Sequence, residues 1–167
     1  DLGDKLTRVS EELVDTYDAG GINRIDGINL PANEPVVEIL DDLMKILFPG
    51  YFGGRVPARS NILFFVQSSV DSLFIRLADE FSRACSYSKS IGDYEGEISK
   101  TDCEEKALKL ISCLPEIRDM LKLDARAGYE GDPASKSVEE VITCYPYIYA
   151  IATHRIAHEI YGMDVPL

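Results

Sequence analysis

Apolar residues in this chain recur every three or four positions almost from end to end, and that rhythm restricts the fold more than any other property of the sequence. The longest run lies at 59–86, where Ile62, Phe65, Val66, Ser69, Val70, Leu73, Leu77 and Phe81 keep one face of a helix for about seven turns. Leu2, Leu6, Val9, Leu13 and Tyr17 make one apolar stripe on a first helix, which Gly20-Gly21 ends. Asn33 suits an N-cap, with Pro35 in the first turn. Val36, Val37, Ile39, Leu40, Leu43, Met44 and Leu47 then give a second helix a broad buried face, and Pro49-Gly50 stops it. No period-2 alternation and no Asn-Gly hairpin turn interrupts the pattern. The expected fold is all-α.

Beyond these helices, Gly53-Gly54 and Pro57 mark a loop, and residues 89–100 read as a polar surface loop. Thr101-Asp102-Cys103-Glu104 has the form of a capping box, in which the Thr and Glu side chains satisfy free amides at a helix start. Leu108, Ile111, Leu114, Ile117, Leu121 and Leu123 are apolar across two helices, with Pro115 marking the break between them and Gly128 placed as a C-cap. Ser137-Val138-Glu139-Glu140 repeats the capping-box form. The last helix runs from Pro146 to Tyr161 and stops at Gly162.

A chain of 167 residues is long enough for one domain with a real core. Its formal net charge of −12 argues against nucleic acid and anionic membranes as partners, since both need a basic face. No phosphate-binding glycine loop is present, so no cofactor-binding residue is assigned. No uninterrupted apolar run approaches the ~18 residues of a membrane span, and Asp1-Leu2-Gly3-Asp4-Lys5 does not open a signal peptide. Cys85, Cys103, Cys113 and Cys144 lack Cys-x-x-Cys spacing and read as buried, reduced thiols of a cytoplasmic protein.

Three groups of residues invite chemistry. Asp132 stands between Gly131 and Pro133, and the proline disfavours helix at the residue before it. Its carboxylate either caps the following turn or points outward at a cationic ligand. His154 and His158 lie one turn apart on a helix with Arg155 between them. Two histidines alone do not make a metal site, and no further ligand is at hand, so none is assigned. Without a nucleophile turn they do not make a catalytic triad either. Their expected role, with Arg155, is packing and hydrogen bonding. Tyr145, Tyr147, Tyr149 and Tyr161 form an aromatic cluster that reads as core or interface with hydroxyls at its rim.

Taken in order, Asp124, the Asp132-Pro133-Ala134 turn and the Arg155-Ile156-Ala157-His158 helix resemble the serine O-acetyltransferase family. The likeness is close from Leu121 to Leu167, and Asn29-Leu30-Pro31 and Phe48-Pro49-Gly50-Tyr51-Phe52-Gly53 are similar to the N-terminal regions of some bacterial members. The chain departs from the family at Gly131, where a larger polar residue is usual, and at His154, where the family has tyrosine. The resemblance implies a multi-helix N-terminal domain. The family's left-handed parallel β-helix, with the acetyl-CoA site and catalytic histidines, would lie beyond Leu167, because no hexapeptide repeat occurs before it.

On that resemblance, Asp132 binds the ammonium group of L-serine, while Arg155 and His158 serve the interface with the next domain. Asp124 is expected on a helix surface with a smaller part to play. No catalytic residue lies in this chain, which alone would be inactive. Acetyl-CoA is the co-substrate of the whole enzyme, and the assembly is a trimer or a dimer of trimers. The chain then reads as one helical domain, 1–167. Residues 1–28 form an N-terminal helix and loop free to move, 29–128 the main body, and 129–167 the turn and last helices. The alternative is a stand-alone helical interaction module without catalysis. Hexapeptide repeats encoded after Leu167 would separate the two.

Overall fold

The computed structural model describes residues 1–18, 30, 32–54, 58–96 and 98–167. Gly20-Gly21, Asn29, Pro31 and Pro57 lie outside the described residues. Among the described residues, six α-helices follow in order: α1 Leu2–Asp18, α2 Asn33–Leu47, α3 Ile62–Ser90, α4 Lys100–Gly131, α5 Val138–Cys144 and α6 Pro146–Tyr161. A 3-10 turn, Arg59–Asn61, leads into α3. Among the described residues there is no strand, only an isolated bridge between Pro49 and Phe52.

One core joins five of the six helices. Leu43, Met44 and Leu47 of α2 meet Leu73, Leu77 and Phe81 of α3, Leu110, Ile117 and Leu121 of α4, Val141 of α5, and Ile148 and Ile156 of α6. Each such side chain contributes about 1.5–3 kcal/mol when fully removed from water. Helix α1 supplies nothing to this core. Leu2, Leu6, Val9, Leu13, Val14 and Tyr17 are all exposed.

Several local expectations change. Helix α2 begins at Asn33 after Ala32, which caps it with no side-chain hydrogen bond, so Asn33 is the first helical residue rather than the cap. Val37, expected in the buried face, is exposed. At the start of α4 the cap is Ser99, whose hydroxyl accepts the Asp102 N–H at 3.0 Å, and Thr101 is already helical. Pro115 does not break the chain into two helices. Helix α4 runs through it for 32 residues. A proline inside a helix costs about 3 kcal/mol, and the burial of Leu110 and Leu114 before it and Ile117 and Leu121 after it outweighs that cost. Leu108 and Leu123 face solvent on the same helix. Ser137 caps α5 as expected, accepting the Glu140 N–H at 3.1 Å.

Segment Arg59–Ser90 is, by length and composition alone, long and apolar enough to cross a membrane. The sequence expectation counted uninterrupted runs, and Gln67, Ser68, Ser69, Asp71 and Ser72 interrupt this one. Leu73, Leu77 and Phe81 of the same helix sit in the protein core. The four cysteines are free, with Cys85 and Cys103 buried, Cys113 half-buried and Cys144 exposed, so the expectation of buried thiols fails for Cys144.

Candidate functional site

Two Xaa-Pro steps build the site. Pro133 disfavours helix at Asp132, so α4 ends at Gly131 and Asp132 takes an extended backbone with φ −115° and ψ 105°. Pro146 does the same to Tyr145, which stands with φ −92° and ψ 116° as the shared boundary of α5 and α6. Each side chain leaves its helix at a fixed angle, and the two meet. The Tyr145 hydroxyl donates to Asp132 Oδ2 at 2.6 Å.

The other carboxylate oxygen of Asp132, Oδ1, accepts the Ala134 N–H at 2.9 Å, the closed ring of an Asx turn. The turn is tied further by Ser135, whose hydroxyl lies 2.8 Å from the Asp132 carbonyl and 3.0 Å from that of Tyr129. Asp132 therefore does cap the turn, and it does so with one oxygen while half-exposed. The Tyr145 hydroxyl, with the Ala134 N–H adding to it, holds the Asp132 carboxyl below the usual carboxylate range. The same bond pushes the Tyr145 phenol up to about 12.

Beside this pair, Asp124 and Arg155 form a two-pronged ion pair between α4 and α6, with Nε and Nη2 of the guanidinium each 2.8 Å from a carboxylate oxygen. Asp124 was expected on the helix surface. Its side chain is only 17% exposed, because α6 crosses α4 there. Tyr147 donates its hydroxyl to the Asp124 carbonyl at 3.1 Å. Gly128 is a packing glycine inside α4 rather than a C-cap, since a Cβ on it would overlap the Tyr147 hydroxyl.

The tyrosine cluster divides. Tyr145 and Tyr147 meet edge to face, 6.3 Å between ring centres, and Tyr149 donates to Asp41 of α2 at 3.0 Å, whereas Tyr161 stands exposed. Arg155 is drawn to Asp124, not to Asp132, and His154 and His158 are exposed on α6. Among the described residues no three of His, Cys, Asp and Glu come together to hold a metal ion. A cleft of about 330 Å³ between α2, α4 and α5, lined by Leu47, Phe48, Arg118, Lys122 and Val138, does not include Asp132, which is half-exposed. Sequence reasoning missed the two partners, Tyr145 for Asp132 and Asp124 for Arg155. The Tyr145-Pro146 step was the one available signal for the first.

The arrangement defines an all-α domain that closes on an acid-bearing Asp-Pro turn. No family model matches the chain. A plasmid serine acetyltransferase of Synechococcus elongatus is 30% identical over 141 residues, 83% of this chain and 44% of the relative. The serine acetyltransferase of Mycobacterium tuberculosis is 51% identical over 35 residues, 21% of this chain and 15% of that protein. Among solved structures, serine acetyltransferase 1 of Entamoeba histolytica in complex with L-cysteine superposes with a TM-score of 0.58 at 27% identity, over 75% of this chain and 41% of that one. Isoform 3 from the same organism, at 23% identity and TM-score 0.57, shares the fold over 98% of this chain and 52% of its own. The chain belongs to the serine acetyltransferase family, as its N-terminal helical region. It spans less than half the length of the curated relatives it matches.

Proposed function

We propose that this chain is the helical part of a serine O-acetyltransferase, which moves the acetyl group of acetyl-CoA onto L-serine to give O-acetyl-L-serine and CoA for cysteine synthesis. Its contribution to the site is Asp132. The observation that carries this reading is the setting of that carboxylate, fixed through both oxygens by donors yet half-exposed. An ionised acid so held meets an α-ammonium group through a charge-assisted hydrogen bond.

In this reading a histidine outside the chain acts as general base on the serine hydroxyl, which attacks the thioester carbonyl, and the CoA thiolate leaves. Asp132 orients serine and transfers no proton. Acetyl-CoA binds outside this segment. The Entamoeba relative holds L-cysteine, an amino acid with the same ammonium and carboxylate groups as serine, and one that an acid of this kind would also accept. The helical region joins subunits into a trimer or a dimer of trimers in the cytoplasm, with Arg155 and His158 toward the next domain. The 167-residue chain alone would not turn over.

The test is Asp132→Asn in the full-length enzyme. Losing the charge lowers kcat/KM for serine by about 10–100-fold, while the KM for acetyl-CoA moves little. Unchanged serine kinetics with a lower melting temperature would leave Asp132 a turn cap only. The exposed apolar stripe of α1 favours a second reading, a helical interaction module without catalysis. A gene that ends at Leu167 with no hexapeptide repeats would support it.

A further inference from the structure

We propose that Tyr145 is a positioning residue for amino-acid recognition: its hydroxyl fixes the orientation of the Asp132 carboxylate, so that the acid is aimed before the substrate arrives. The inference rests on the reading of Asp132 as the serine-binding acid.

Geometry carries the argument. Asp132 and Tyr145 are 13 residues apart, and each precedes a proline that holds its backbone extended. Neither side chain therefore swings with the end of a fraying helix. The Tyr145 ring packs edge-on against Tyr147, Tyr147 is anchored to the Asp124 carbonyl, and Asp124 is clamped by Arg155. A continuous set of contacts thus runs from the core of the α4–α6 crossing to one oxygen of Asp132. The Ala134 N–H fixes the other oxygen from within the turn itself. A carboxylate has about four acceptor sites, and these two donors leave one on each oxygen for an ammonium group.

The alternative role for a tyrosine at such a place is proton transfer. Tyr145 is unsuited to it. Its hydrogen bond to Asp132, with smaller contributions from burial and from Asp132, Glu140 and Cys144 nearby, pushes its phenol up to about 12, so it stays a donor at neutral pH. Its part is to orient the acid, and substrate meets Asp132 alone.

The experiment uses the full-length enzyme with Tyr145→Phe, Asp132→Asn and the double variant. Phenylalanine keeps the ring against Tyr147 and removes only the hydroxyl. The expected result for Tyr145→Phe is a KM for serine raised about three- to tenfold, the range of one ordinary hydrogen bond, with kcat and the KM for acetyl-CoA little changed. The acid limb of kcat/KM for serine moves to higher pH. Recognition needs Asp132 ionised and falls as pH drops through its pKa, and removing the donor that lowers this pKa lifts it. The double variant is no worse than Asp132→Asn, because Tyr145 acts only through that carboxylate. A merely structural tyrosine would give effects that add and would leave the acid limb in place. If Asp132→Asn damages serine use while Tyr145→Phe changes neither KM nor the acid limb, the role of Tyr145 is overturned and that of Asp132 stands. If neither variant changes serine kinetics, the reading of Asp132 fails and this inference goes with it. Should Tyr145→Phe destabilise the protein, the double-variant comparison, made on folded enzyme at low temperature, still decides.

Discussion

Helices α1 and α6 are nearly equal in length, 17 and 16 residues, and each carries apolar residues at helical spacing. Their fates are opposite. In α6, Ile148, Ala152, Ile156 and Ile160 recur every fourth residue and all four are buried. In α1, Leu2 is 72% exposed and even Leu13 is 51% exposed. An apolar stripe specifies a helix and a demand for cover. It does not say whether the same chain supplies that cover. For α6 the cover is α4, drawn close by Gly128 and clamped by Asp124 and Arg155. For α1 nothing in the described core takes that part.

The contrast can be broken most sharply in α6. Ile156→Ala is expected to destabilise the domain by about 2–5 kcal/mol, read as a lower denaturation midpoint. A loss under 1 kcal/mol would mean that the α4–α6 contact is looser than its burial implies. Asp124→Asn comes next. It halves the ion pair and leaves Arg155 short of a partner, for an expected loss of about 1.5–3 kcal/mol, with a much smaller rise in the KM for serine than Asp132→Asn gives. A serine effect as large as that of Asp132→Asn would instead place Asp124 in the binding site.

Gly128→Ala sharpens the comparison by its sign. Alanine in an open helix interior stabilises by about 0.5–1 kcal/mol over glycine. Here the new methyl meets the Tyr147 hydroxyl, and a loss of about 1–3 kcal/mol is expected from overpacking. Thermal melts of the variant settle the direction. The smallest effect belongs to α1. Leu6→Ser should change stability by no more than about 0.5 kcal/mol in dilute solution, the range of exposed sites. A larger loss, or one that grows with protein concentration, would reveal that α1 is covered by another chain.

Much of the fold was legible because helices leave a local signature. The C-terminal end of α2, both ends of α6, the cap at Ser137 and the extended Asp132 all follow from residues within four positions of each other. Pro115 and Gly128 misled because their local preference, to break or end a helix, was overruled by packing from distant segments. The partners in the site were illegible for a related reason. Arg155 and Asp124 are 31 residues apart, and nothing in their own neighbourhood states that α6 crosses α4 there. The turn that presents Asp132 could be read from sequence, whereas the tyrosine that steadies it needed the crossing.

Helix α4 has one more consequence. Its early turns line a cleft with the later part of α3, where Cys103 and Glu104 face Ala78 and Ser82, and Ile111, Leu114 and Pro115 sit opposite Ile62, Phe65 and Val66 at the start of α3. Past Arg118, α4 still buries Leu121 and Ala125 in the core, in contact with α5 and α6. Asp132 follows directly on the last residue of this helix. Pro115 removes one backbone hydrogen bond midway along it. From Pro115 to Asp132 the helix rises about 25 Å, so a bend of a few degrees at the proline would move the acid by roughly 1–2 Å, enough to matter to a charge-assisted contact. The burial of Leu121 and Ala125 beyond the proline thus also holds Asp132 in place.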